Sequence, residues 1–149
     1  MADTVPAHII RRTLTEVVID PQHARRRNTP AFRAAKRRLK QDGHWRCYIC
    51  GATTRLEAHH RGMEYMFEAD TDFAALKAFC EEWDLYGYGR LLQHQPITTV
   101  DDVRNLMVLC ATHHREAETG IHMISFPAWI AQKLAKPGAD PVPQEDAHA

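Results

Sequence analysis

At 149 residues the chain is long enough for one compact domain with arms and too short for two independent cores. No stretch approaches the roughly 18 to 20 apolar residues that a membrane span needs, and the N-terminus has no apolar run of the secretory kind, so the expectation is a cytoplasmic protein with no membrane partner. The formal charge is zero but unevenly spread: residues 1–61 hold 13 Lys and Arg against 5 Asp and Glu, and residues 62–149 hold 6 against 14.

In chain order, Ile9 to Ile19 shows loose β-branched alternation and ends at Asp20-Pro21, which suits either a short strand or an ordered arm. Arg25, Arg26 and Arg27 follow. Thr29-Pro30 opens a helix, with Thr as N-cap and Pro at the first helical position. Phe32, Ala35 and Leu39 fall on one face of it, and Arg33, Lys36, Arg37, Arg38 and Lys40 on the rest. Asp42-Gly43 closes it. Basic residues at this density read either as an electrostatic footprint for a polyanion or as a solvated helix face paired with the acidic half.

The helix delivers the chain into Trp45-Arg46-Cys47. Gly51 permits a tight turn in which backbone amides face thiolate sulfur, and Arg55 to His60 then reads as a strand ending in two histidines. Asp70 or Asp72 is expected to cap a helix through Phe73, Leu76, Phe79, Cys80 and Trp83, broken at Tyr86-Gly87-Tyr88-Gly89. The stretch 62–100 is expected to be largely helical, with its large aromatics either bracing the rest of the domain or offering a partner surface. After Asp101-Asp102-Val103-Arg104 comes Asn105, then the apolar run Leu106 to Leu109 into Cys110, and Ala111 to Glu118 reads as a helix. Ser125-Phe126-Pro127 opens a further helix through Trp129, Ile130 and Leu134. Beyond Pro137-Gly138 the tail has no apolar pattern and is expected to be disordered.

Two ligand pairs stand 60 residues apart: Cys47-x-x-Cys50 and Cys110-x-x-His113. Thiols in a cytosolic chain stay reduced, and this is metal spacing more than disulfide spacing. Zinc accepts thiolate and imidazole in a tetrahedron, so Cys47, Cys50, Cys110 and His113 form a candidate structural zinc site. Cys80 is left over and, in an apolar helical pattern, is expected to be a buried, inert thiol. His8, His23, His44, His94, His122 and His148 lie outside these motifs and are taken as ordinary surface or packing residues.

A second, harder set surrounds the first: Glu57-Ala58-His59-His60, Asn105-Leu106 and His113-His114. Adjacent side chains of a strand point to opposite faces, so His59 and His60 are expected to divide their labour. Taken with the Cys pairs, this pattern resembles the HNH endonuclease family over roughly residues 45–118. The resemblance implies an α+β fold: a small ββα-metal core with a structural zinc knuckle, flanking helices and a helical insertion. The nuclease domain is then expected at 29–122 with its insertion at 62–100; the resemblance is silent about both arms, which the residue pattern alone divides into a basic arm at 1–28, a C-terminal helix at 123–136 and a disordered tail at 137–149.

By the same resemblance His60 matches the general base that takes a proton from water, and Asn105 matches the residue that orients the base and holds its loop. His59 and His114 match the ligands of a catalytic divalent ion, Mg²⁺, Mn²⁺ or another first-row ion, at the scissile phosphate. Arg61 and Arg115, together with Arg33, Lys36, Arg37 and Lys40, are candidate phosphate contacts. Relatives often carry Lys or His three or four residues beyond the last motif histidine, where this chain has Ala117 and Glu118. Glu118 is then either a carboxylate that ligates the ion or supports its ligands, or a plain exposed residue. The implied partner is DNA, with a homodimer or a phage or host protein as a further one, and the small size resembles phage or mobile-element nucleases. The competing expectation is a zinc-stapled module that binds nucleic acid or protein without cutting.

Overall fold

A computed structural model describes residues 28–116, 120–121 and 133–139, together with Thr13 and Thr15. The rest of the arm before residue 28, most of the C-terminal helix expected at 123–136, Ala117, Glu118 and the tail beyond residue 139 lie outside the described residues.

Helix α1 spans Pro30–Gln41. Thr29 caps it, its Oγ1 accepting from the Phe32 amide at 3.0 Å, and Pro30 occupies a first-turn position where no donor is lost. Phe32, Ala35 and Leu39 are its buried residues, as their spacing requires. The chain leaves at Asp42, whose amide donates to the Arg38 carbonyl at 2.9 Å, and Gly43 takes the left-handed φ of +79° that redirects it.

Strands β1 (Leu56–His60) and β2 (Leu106–Cys110) form a two-stranded antiparallel sheet, with Leu56 opposite Cys110, Ala58 opposite Val108 and His60 opposite Leu106. The strand expected from Arg55 starts one residue later, because Arg55 has a φ of +55°, outside the extended region. Alternation then sorts the faces. Leu56 and Ala58 with Leu106 and Val108 pack against Phe32, Ala35, Leu39, Tyr88 and Val103, so His60 shares the face covered by α1. His59, paired with Met107, points the other way.

Helix α2 (Phe73–Glu82) is capped by Asp72, whose Oδ1 accepts from the Ala75 amide at 2.9 Å, and buries Leu76, Phe79 and Cys80. These join Met63, Ile97, Val100 and Leu134 in a second apolar cluster. The insertion thus builds an apolar cluster of its own beyond the end of β1, and Leu134 shows that the chain returns to it from the C-terminal side. Three elements have no counterpart in the sequence pattern: 3-10 helices at Tyr65–Asp70 and Val103–Asn105 and the short helix α3, Tyr88–Leu91. Tyr86 and Tyr88 do not merely break a helix. The Tyr86 hydroxyl accepts from the Val108 amide at 3.0 Å, on β2, and the Tyr88 hydroxyl donates to Asp42 at 2.6 Å, at the end of α1.

Arg104, 3% exposed, ties the insertion to the sheet. Its guanidinium donates to the carbonyls of Leu92, Gln95 and Pro96 at 2.8 to 3.1 Å and pairs with Asp102. Helix α4 is Ala111–Arg115 and is shorter than the expected run to Glu118, because Glu116 adopts an extended ψ of 148° and ends it.

Candidate metal centre and imidazole cluster

The knuckle between α1 and β1 is built on its own backbone. The Gly51 amide donates to the Cys47 carbonyl at 2.8 Å with Gly51 at φ +74°, and the Cys47 amide returns to Ala52 at 2.9 Å. The Tyr48 amide donates to Val108 at 2.8 Å, which fastens the turn to β2. Because Cys110 ends β2 and His113 lies in the first turn of α4, the sheet register carries the second ligand pair to the first.

Cys47, Cys50, Cys110 and His113 form a group whose ligand atoms all lie within 4.8 Å of one another, and it could hold a metal ion such as zinc. Sγ of Cys50 and Cys110 are 3.8 Å apart, and Nδ1 of His113 is 3.7 Å from Sγ of Cys47 and 3.3 Å from Sγ of Cys110. A tetrahedral zinc with ordinary bond lengths separates two sulfurs by about 3.8 Å and a sulfur from a nitrogen by about 3.6 Å. The four groups are thus spaced as ligands of one ion.

The electrostatics favour the thiolate at Cys47 and Cys110, whereas at Cys50 the Ala52 amide lowers the thiol but is outweighed by burial and the neighbouring sulfurs of Cys47 and Cys110, which raise it. Burial acts to raise the Cys47 thiol, but amides of Cys110, Cys50 and Ile49 aimed at its sulfur overcome this and bring it down to about 6. The His113 amide lowers the Cys110 thiol, and Cys110 in turn raises His113. Donors directed at sulfur favour the thiolate that a metal needs. Cys80 is separate: it is fully buried, and burial pushes its thiol up to about 11.

The second set of residues surrounds the end of β1. His59 and His114, 55 positions apart in the sequence, meet with ring centroids 5.1 Å apart. Nδ1 of His114 is held by the Glu57 carboxylate, whose other oxygen takes the Arg115 guanidinium at 2.6 Å. His60 is on the opposite face, stacked on Phe32 with ring centroids 5.6 Å apart, and its Nε2 is 2.7 Å from Oδ1 of Asp101. A carboxylate only accepts, and Oδ2 of Asp101 already accepts from the Thr29 hydroxyl at 2.6 Å. The neutral His60 ring therefore carries its hydrogen on Nε2, and its Nδ1 lone pair faces Glu64.

Glu64 connects the two faces. Its Oε1 is 3.8 Å from Nε2 of His59 and its Oε2 is 4.0 Å from Nδ1 of His60. Thr29, Asp101, His60, Glu64, His59, His114 and Glu57 thus follow one another as a continuous polar line through the end of the sheet. The line reaches solvent at Glu57, whose side chain is 34% exposed, and Arg115, at 47%.

Asn105 is fully buried and holds the turn that follows His60. Its Oδ1 accepts from the amides of Gly62 and Met63 at 2.9 and 3.3 Å, and its Nδ2 donates to the carbonyls of Met63 and Val100 at 2.9 and 2.7 Å. Its own carbonyl accepts from the Arg61 amide at 2.8 Å. Gly62 makes this fit: a Cβ there would lie 2.8 Å from Oδ1 of Asn105 and 2.9 Å from Cδ1 of Leu76.

One expected phosphate contact is corrected. Arg61 is 6% exposed, its guanidinium lying over Phe79 and donating to the carbonyls of Arg104 and Cys80 at 2.9 and 3.4 Å. It closes the core beneath the site because residue 61 leaves the strand into the Asn105-bound turn. Arg33, Arg37 and Lys40 are exposed on α1. Lys36 places its Nζ 5.0 Å from the centroid of Phe32, the ring that stacks on His60. Three acidic residues join the site without a role assigned by the sequence. Asp101 precedes Asn105 by four positions and Glu64 follows His60 by four, separations that identify neither as a site residue until the turns are folded. Glu57 belongs to the motif, but only the approach of α4 shows that it holds His114.

Comparison with family models, with curated proteins and with solved structures gives no match.

Proposed function

We propose that the chain is a metal-dependent DNA endonuclease or nickase of HNH type, with β1, β2 and α4 as its ββα-metal core. The observation that carries the reading is the approach of His114 on α4 to His59 on β1, 5.1 Å between ring centroids, beside a four-ligand group that could staple both segments. An open pair of imidazoles next to a closed Cys3His set is the division of labour expected of one ion for folding and one for chemistry.

In this reading His59 and His114 hold a divalent ion, which when bound supplies the positive charge that stabilises the departing 3′ oxygen. His60 accepts a proton from the attacking water at Nδ1, the water oxygen bonds to phosphorus, and the bond to the 3′ oxygen breaks with its electron pair on that oxygen, which takes up a proton from solvent, leaving 5′ phosphate and 3′ hydroxyl ends. Asp101 fixes the tautomer that this requires and favours the imidazolium that forms. Asn105 keeps the turn after His60 in place. Arg115 and the cations of α1 attract the phosphate backbone without reading its sequence.

A plasmid-nicking assay with Mg²⁺ or Mn²⁺ tests this: EDTA should remove activity, and His60→Ala and His114→Ala should each reduce it by at least about a hundredfold, the scale of a missing base or ion. Undiminished cutting by His60→Ala would show that another group is the base.

One observation favours a different class. His60 is 2% exposed and clamped between α1 and Asp101, a position that also suits a buried polar tie in a zinc-stapled module that binds nucleic acid or protein without catalysis. That reading predicts duplex binding with no cleavage under any divalent ion.

A further inference from the structure

We infer that Glu64 is a third protein ligand of the divalent ion, completing with His59 and His114 a set of two imidazoles and one carboxylate; this rests on the proposed ion site and names a residue that the motif does not contain. Oε1 of Glu64 faces Nε2 of His59 at 3.8 Å. That is too long for a hydrogen bond and close to the about 3.4 Å that separates imidazole and carboxylate ligands on one tetrahedral ion. His114 approaches the same ring of His59 from α4, and Glu57 holds its Nδ1, so ligation falls to its Nε2.

Burial supports the assignment. Glu64 is 8% exposed and His59 2%. Side chains so buried are held in place by their packing, which fixes the geometry that an ion would meet. The set also bears on which metal is taken. Two imidazoles and a carboxylate suit Mn²⁺, Fe²⁺, Co²⁺ or Ni²⁺ better than Mg²⁺, which prefers oxygen ligands and keeps its waters. The other oxygen of Glu64 stays on the side of His60, so the ion and the base are linked through one side chain.

The test is a titration of the full chain, loaded with one equivalent of zinc, with Mn²⁺, following free Mn²⁺ by electron paramagnetic resonance. The unaltered protein should bind one Mn²⁺, and Glu64→Gln should weaken it at least about tenfold, as should His114→Ala, with the zinc retained. Glu64→Asp keeps the charge and shortens the reach. It should also lose affinity, and it carries the test if the Gln variant does not fold. Mn²⁺ binding that is the same in both Glu64 variants as in the parent overturns the assignment, as does a parent chain that takes up no Mn²⁺. Nicking assays on the same samples separate this from the nuclease reading. Glu64-dependent binding without cutting keeps the ligand and defeats the nuclease, and cutting with Mn²⁺ affinity indifferent to Glu64 does the reverse.

Discussion

Nε2 of His60 and Oδ1 of Asp101 meet at 2.7 Å with both side chains about 1% exposed, and through the second oxygen of Asp101 the same carboxylate holds Thr29, the cap of α1. One buried acid thus sets the ring orientation of the expected base and anchors the basic helix above it. Asp101→Asn keeps one accepting oxygen and sets a donating amide against the other partner, so a charge-assisted hydrogen bond is lost on that side unless the Thr29 hydroxyl turns to accept or the His60 ring changes tautomer. We expect a loss of about 1 to 3 kcal/mol in urea unfolding, as for a buried donor left without its acceptor. Thr29→Ala should cost about 1 kcal/mol through the cap, and the pair should be non-additive because they share Asp101. Additive losses would mean that the two hydrogen bonds are independent.

Asn105 satisfies four backbone groups with one side chain. Asn105→Ala should therefore destabilise the fold by roughly 3 kcal/mol or more, since several buried groups lose their partners together. Gly62→Ala should cost about 1 to 3 kcal/mol by overpacking, its Cβ meeting Asn105 and Leu76 at 2.8 and 2.9 Å. Chemical denaturation of both variants checks this, and a stable Gly62→Ala protein would show that the turn relaxes.

Removal of metal from the Cys3His group should release the knuckle from β2. Mass-spectrometric metal analysis is expected to find one zinc per chain in that group, absent from Cys110→Ser. A strong chelator should lower the thermal midpoint, because the four groups, which come from two distant segments, would share one ion. A chain that melts identically with and without chelator would refute the staple.

Burial holds the Cys80 thiol at about 11, above its ordinary 9.0. Below pH 9 both folded and unfolded chains keep the proton. Above it the unfolded chain loses the proton first, so the stability contribution is complete below pH 9 and declines as the pH rises toward 11. The decline is on the order of 2 to 3 kcal/mol. Urea unfolding at pH 8 and pH 10.5 should show it, and Cys80→Ala should have the shallower dependence on pH. In the native protein Cys80 should resist alkylation at pH 8.

If α1 binds phosphate, Arg37→Gln combined with Lys40→Gln should reduce the slope of log affinity for duplex DNA against log salt by about 1.8, or about 0.9 for each phosphate no longer neutralised. An unchanged slope would mean that the exposed cations of α1 face solvent alone.

Much of the architecture is legible in the sequence because it rests on local chemistry. Thr29 and Asp72 cap the helices that begin after them, and Phe32, Ala35 and Leu39 are buried in the order that their spacing requires. The two short-range ligand pairs come together as expected, since a pair fixed at three-residue spacing needs only one long-range approach to meet its counterpart.

What requires the folded chain is direction. The antiparallel register turns His60 toward α1 and His59 toward α4, so that the two neighbours in sequence take different partners. The turn gathered by Asn105 brings Glu64 back between them and sends Arg61 into the core, where a basic residue beside a histidine suggests a phosphate ligand. Residue types and spacings carry the ligands and the caps because those depend on neighbours a few positions away. The carboxylates at the imidazoles depend on the path of the backbone between distant segments, and only packing of the insertion against the sheet decides that path.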